Sequence, residues 1–252
     1  NGQKDPWDNA DLRQAFGYAV NRTQLLNTVW HGIGEEGVNC LAPWTPESQN
    51  VPAEYNYSYD VERALELFEL AGFTDIDDDG WLENSTGELS LDLWTTNKGE
   101  DIQMGEIVQA QFEAIGVHVT LTPYAETQLR DEAAERNQEA ILFWYSWPRA
   151  EILDWHFGEW AAGGSNTGWY IDPVFDAYVT NWTYAETEEE FSDNATAALI
   201  RLQDQGAWCT LIYWHQIFAV HDYVTFQGEP GWAVNPLGQE QVINIVDVDI
   251  DK

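Results

Sequence analysis

The residues best suited to hold a ligand are aromatic and lie in one stretch: Trp144, Tyr145, Trp147, Trp155, Trp160, Trp169 and Tyr170. Rings with a polar edge are what the C–H surface of a saccharide packs against, though large amphipathic rings also serve as ordinary core. Trp144 and Trp147 are the best candidates to line a cleft. Asp75, Asp77, Asp79 and Gly80 follow the first half of an EF-hand loop, but its twelfth position falls on Thr86 where a bidentate Glu belongs. That leaves weak divalent binding or an Asx-rich turn as readings.

Other reactive residue types lack the spacing their chemistry needs. His31, His118, His156, His215 and His221 form no H-E-x-x-H or related ligand pattern and read as structural. Cys40 and Cys209 show no C-x-x-C spacing, which argues against zinc and against a dense disulfide framework; one long-range disulfide stays open. Neither a nucleophile elbow nor a phosphate-binding glycine loop occurs, so nothing argues for covalent catalysis or a cofactor. Asn56, Asn84, Asn181 and Asn194 each begin an N-x-S/T sequon, a triplet that also arises by chance.

The elements around these residues follow from hydrophobic periodicity. Residues 9–29 carry apolar side chains at helical spacing with a break near Asn21, predicting two consecutive helices. Residues 32–59, rich in Gly, Pro and Asn, read as a long irregular connection. Asp60 is a good N-cap for a helix carrying Ala64, Leu65, Phe68 and Ala71, and Gly72 suits its left-handed end. Leu89, Leu91 and Leu93 alternate as a strand does, and residues 104–115 return to helical spacing. Val117, Val119 and Leu121 alternate again, then a polar helix over 126–137 and an apolar strand over 140–145 complete an α/β layer. Helices are expected over 152–161, 172–182 and 186–205, and a strand over 210–220.

Composition sets the outer limits. Among 252 residues, 44 are acidic and 10 are basic, for a formal charge of -34 spread along the whole chain. Such a surface repels phosphate backbones and anionic headgroups, which excludes nucleic acid as a partner. The charge is what a protein adapted to molar salt carries; general solubility or binding of cations or a basic partner would also fit. No apolar run reaches the ~20 residues that span a bilayer, and the first residues lack a secretory signal, so the true beginning is expected to lie upstream.

Several blocks fall in a familiar order. Residues 11–22, beginning Asp11-Leu12-Arg13-Gln14-Ala15 and ending Asn21-Arg22, are followed by Val29-Trp30-His31-Gly32. Tyr59-Asp60 through Gly72-Phe73, Asp77-Asp78-Asp79-Gly80, residues 108–117, Phe175-Asp176 and Asn235-Pro236-Leu237-Gly238 come next. In order and spacing the chain resembles the family 5 extracellular solute-binding proteins of ABC importers, whose members bind dipeptides, oligopeptides, nickel or oligosaccharides.

The resemblance implies an α/β fold with a mixed sheet flanked by helices, one lobe of the periplasmic-binding-protein-like type II fold. Residues 1–208 would form the carboxy-terminal ligand-binding lobe and residues 209–252 a segment returning toward a missing amino-terminal lobe. It also implies an exported, non-enzymatic receptor for an oligopeptide, a saccharide or a similar solute, with permease subunits as partners. Membrane association would come only through an anchor outside this fragment, as in a lipoprotein. The cleft-lining segment corresponds to Phe143-Trp144-Tyr145-Ser146-Trp147-Pro148, and the cleft-bordering loop to residues 163–168, with Asn166 offering donor and acceptor. The site is thus expected from Trp144, Tyr145, Ser146, Trp147, Asn166 and Trp169. Trp147 stands where peptide-binding relatives place an aspartate for the ligand's amino group, and an indole offers only a donor. Glu151 and Asp154 could substitute or belong to a solvated helix face. A glycosidase using two of the many carboxylates is the enzymatic alternative, and half a cleft could equally bind nothing tightly.

Overall fold

The computed structural model describes residues 4–144 and 150–215, together with the backbone of 224–226 and 248–250. The chain opens with α1 (Ala10–Ala19) and α2 (Arg22–Val29). The break between them has a capping cause: Asn9 accepts from the Asp11 and Leu12 N–H groups, and Asn21 from that of Gln24. The irregular connection holds β1 (Gly34–Glu36) and a single-turn α3 (Pro46–Gln49). In α4 (Val61–Leu70) the Asp60 carboxylate caps the Arg63 N–H, and Gly72 leaves the helix at φ +90°.

A small hairpin, β2 (Glu83–Asn84) and β3 (Gly87–Glu88), leads into the principal sheet. β4 (Ser90–Thr96), α5 (Gly99–Glu113), β5 (His118–Tyr124), α6 (Glu126–Ala134) and β6 (Ala140–Ile141) follow as strand–helix–strand–helix–strand. β4 lies at the centre, with β5 and β6 both parallel to it. Parallel pairing requires long crossovers, which α5 and α6 supply. Leu91 and Leu93 project from one face of β4 into an apolar core with Leu12, Phe68, Phe112 and Val117.

The remaining helices are α7 (Ile152–Phe157), α8 (Pro173–Thr183) and α9 (Glu188–Asp204). They enclose a second core of Leu153, Phe157, Phe175, Trp182, Leu199 and Leu202, joined by Leu41 and Val51 from the long connection. Two arginines bind the cores together through carbonyl groups. Arg13 donates to Gln205 O at 2.7 and 3.0 Å and to Trp7 O at 2.6 Å, and Arg22 donates to Thr210 O at 2.8 Å. β7 (Ile212–Trp214) pairs antiparallel with β1, and β8 (Val224–Phe226) with β9 (Val248–Ile250). Among the described residues no helix is long and apolar enough to cross a membrane.

Candidate ligand-binding site

The site lies where three segments leave the carboxyl ends of the parallel strands. In open α/β sheets this edge receives ligands, because strands, turns and helix N-termini all present polar groups there. Lys98 follows β4, Glu126 opens the helix after β5, and Phe143 and Trp144 follow β6. Lys98 Nζ lies 4.7 Å from the centre of the Trp144 ring and 3.2 Å from Glu126 Oε2. Arg130, one turn into α6, sits 4.6 Å from the Phe143 ring and 3.3 Å from Glu126 Oε1. The two rings are parallel within 3°, with centres 6.1 Å apart. Stacking holds Lys98 and Arg130 against the rings while leaving their side chains 40% and 47% exposed.

Two carboxyl groups here depart from ordinary behaviour in opposite directions. Hydrogen bonds from Lys98 and then Arg130 hold Glu126 below the usual carboxylate range. Burial pushes Asp101 upward, with the Thr96 hydroxyl bonded to it and opposing the shift.

Beside this edge the loop of residues 158–170 docks on the end of α6. The Trp169 indole donates to Ala133 O at 2.9 Å, and the Arg136 guanidinium lies 4.7 Å from its ring. Trp169 is held at φ +51°, a left-handed conformation that large residues rarely adopt. Asn166 is fully buried and its amide is committed to its own loop. It donates to Gly158 O at 3.2 Å and Tyr170 O at 2.7 Å, and accepts from Tyr170 N at 3.1 Å. The seven aromatics therefore have separate fates. Trp144 and Trp169 take cations, Tyr170 is buried and donates to Asp172 at 2.6 Å, and Trp155 and Trp160 form an exposed edge-to-face pair. Tyr145, Ser146 and Trp147 lie outside the described residues. Asp154, a suggested substitute for the aspartate, accepts from the Trp160 indole at 2.6 Å, and Glu151 is exposed.

The acidic loop differs from the EF-hand reading in one ligand. Oxygens of Asp75, Asp77 and Glu83 lie within 4.8 Å of one another, whereas Asp79 turns to accept the Trp81 N–H at 2.9 Å. Asp75 already receives the Asp79 and Gly80 N–H groups at 3.1 and 3.0 Å, the pattern of an Asx-rich turn. Cys40 and Cys209 are free thiols, and burial pushes the Cys40 thiol up to about 12. Burial lowers the basicity of His156, with the hydrogen bond to Ser165 O opposing the shift, and His118 pairs with Glu88 at 2.7 Å.

Sequence reasoning passed over Lys98, Glu126, Arg130 and Arg136. A signal was available: with only ten Lys and Arg in the chain, three of them stack on the rings of residues 143, 144 and 169.

A parallel α/β lobe thus carries a polar and aromatic edge beyond the carboxyl ends of its strands. Residues 1–187 match the family model for bacterial extracellular solute-binding proteins, family 5 middle region, and the chain belongs to that family. It is 26% identical over 212 residues to heme-binding protein A of Haemophilus influenzae, covering 82% of this chain and 37% of that protein. It is 28% identical over 147 residues to the dipeptide-binding protein of Escherichia coli, covering 56% and 25%. The oligopeptide-binding protein AppA of Bacillus subtilis, solved with a nonapeptide, superposes with a TM-score of 0.79 at 18% identity, covering 100% of this chain and 49% of that one. The chain thus spans about half, or less, of the length of these relatives. The fold is the one expected from the resemblance: α/β, as in one lobe of the type II binding proteins.

Proposed function

We propose that this chain is the carboxy-terminal ligand-binding lobe of the substrate-binding component of an ABC importer, which captures an oligopeptide or similar solute outside the cell and delivers it to permease subunits. The observation that carries the reading is the convergence of Lys98, Glu126, Arg130 and Trp144 on the carboxyl edge of the parallel sheet. Family membership supports it, and relatives named for dipeptides and glutathione support a peptide-like ligand.

The ligand-binding residues in this reading are Trp144, Tyr145, Ser146, Trp147 and Trp169, with Lys98 and Arg130 as donors. Asn166 contributes by fixing the loop that carries Trp169. A saccharide is the second ligand class, favoured by Trp147 in place of a carboxylate and by the exposed ring edges. No reaction is assigned to the site. The -34 charge supports work in concentrated salt.

The test is native mass spectrometry of the protein taken from its own cells in high salt, paired with tryptophan fluorescence titration against peptide and oligosaccharide panels. Retained peptide masses and quenching by peptides are expected; hexose-multiple masses would favour the saccharide. Absence of retained solute together with flat titrations for both classes would overturn the reading.

A further inference from the structure

Five sequons occur in the chain, at Asn21, Asn56, Asn84, Asn181 and Asn194, and the fold separates them sharply. Asn21 is the half-buried N-cap of α2: its Oδ1 accepts the Gln24 N–H at 3.0 Å, and the Thr23 hydroxyl donates to Glu36. An asparagine can accept a glycan only if its amide is accessible and the hydroxyl two residues on can reach it. Helix geometry forbids the second condition, because residues i and i+2 point to different sides. Asn181 lies in α8, where the Thr183 hydroxyl donates instead to Val179 O at 2.8 Å. Asn194 lies in α9 with its amide donated to Glu190 O at 2.7 Å, and the Thr196 hydroxyl is buried. Asn56 is half-buried beside Tyr57, which is 6% exposed and donates its hydroxyl to Gln203 O.

Asn84, half-buried like Asn56, differs in its surroundings. It is the last residue of β2, Ser85 and Thr86 form the exposed two-residue tip, and Gly87 opens β3. Asn84 Oδ1 accepts both the Thr86 N–H at 2.8 Å and the Thr86 hydroxyl at 2.6 Å, which places hydroxyl and amide together. A Cβ added at Gly87 would meet nothing within 4 Å, so the space around the tip is open.

From this geometry we infer that Asn84 is an N-glycosylation site, the inference resting on the reading that the protein is exported. The donor class is a glycan joined through phosphate to a polyprenol. In the transfer, Asn84 Nδ2 forms a bond to the anomeric carbon and loses a proton, the anomeric carbon–oxygen bond breaks, and the lipid phosphate leaves; no redox change occurs. The hairpin also leaves the ligand site clear. It precedes the amino end of β4, whereas Lys98 follows the carboxyl end, and seven strand residues separate the two by about 20 Å.

The experiment is intact-mass and peptide mass spectrometry of the full protein purified from the cells that produce it, alongside Asn84→Gln, Thr86→Val and Thr86→Ser, with whole-cell protease treatment to locate the chain. The expected result is sugar-residue mass on the peptide containing Asn84 and none on those containing Asn21, Asn56, Asn181 or Asn194. Asn84→Gln and Thr86→Val should fall to the bare mass with unchanged circular dichroism, while Thr86→Ser retains glycan. A bare Asn84 on protein accessible at the surface would overturn the site and leave the export reading intact. Protein found only inside the cell, with Asn84 bare, would overturn both. Glycan on the helical sequons in preference to Asn84 would refute the geometric argument.

Discussion

Removing salt is the perturbation whose size can be worked out most directly. Spreading 34 net charges over an accessible surface of 13949 Å² leaves about 410 Å² for each, a mean spacing of about 20 Å. Two unit charges at that spacing in water repel by about 0.2 kcal/mol before screening. With Debye lengths of roughly 30, 10 and 3 Å at 0.01, 0.1 and 1 M salt, screening leaves about a half, about a seventh and about a thousandth of that value. Taking about six neighbours per charge, hence about 100 pairs, the folded chain carries about 10 kcal/mol of repulsion at 0.01 M, about 3 at 0.1 M and almost none at 1 M.

Unfolding roughly triples the radius of gyration and relieves most of this repulsion, while domain stability is only about 5–15 kcal/mol. Salt is therefore expected to decide whether the protein folds. Urea, being uncharged, reads the effect cleanly: its midpoint should fall by about 3 M between 1 M and 0.01 M KCl, or the chain should unfold without urea. Sucrose, which is excluded from protein surfaces but screens nothing, should not replace KCl. A midpoint that holds within about 0.3 M across the series, or full rescue by sucrose, would refute the argument from charge.

Three further outcomes follow from particular contacts. Trp144→Ala removes the surface on which Lys98 stacks and should weaken binding of whichever solute class the titrations identify by about tenfold or more, with the circular dichroism spectrum unchanged. Gly17→Ala should destabilise by about 1–3 kcal/mol in urea despite alanine's better helix propensity, because its Cβ would lie 2.6 Å from a ring carbon of buried Tyr57. At Asp172, burial pushes the carboxyl up, but hydrogen bonds from Arg201 and Tyr170, both 2.6 Å, outweigh it and hold it below the ordinary carboxylate range. A depressed folded value means this stabilisation is complete above the unfolded carboxylate value of about 4 and is lost as pH falls through the folded one. Arg201→Met should cost about 2 kcal/mol, below the range for fully buried pairs because Arg201 is 29% exposed, and should flatten that acid limb in urea titrations.

Local signals determined much of this molecule. Asn9, Asn21 and Asp60 stop and start helices through hydrogen bonds to amides two or three residues away, so their effect is written wholly in neighbouring residues. The alternation of Leu89, Leu91 and Leu93 and the helical spacing up to Phe112 were legible for the same reason, and motif order supplied the family. The charge of -34 likewise needs no coordinates. Tertiary structure decided what local pattern cannot encode. Lys98 and Trp144 are 46 positions apart in the chain and meet only because β4 and β6 are neighbours in one parallel sheet. Glu83 joins Asp75 and Asp77 because a loop folds back on itself, and Asn166 turns inward because Gly158 and Tyr170 both need its amide. Sequons of the same N-x-T pattern at Asn84 and Asn181 differ for the same physical reason: a tight turn brings residues i and i+2 together, and a helix sends them apart.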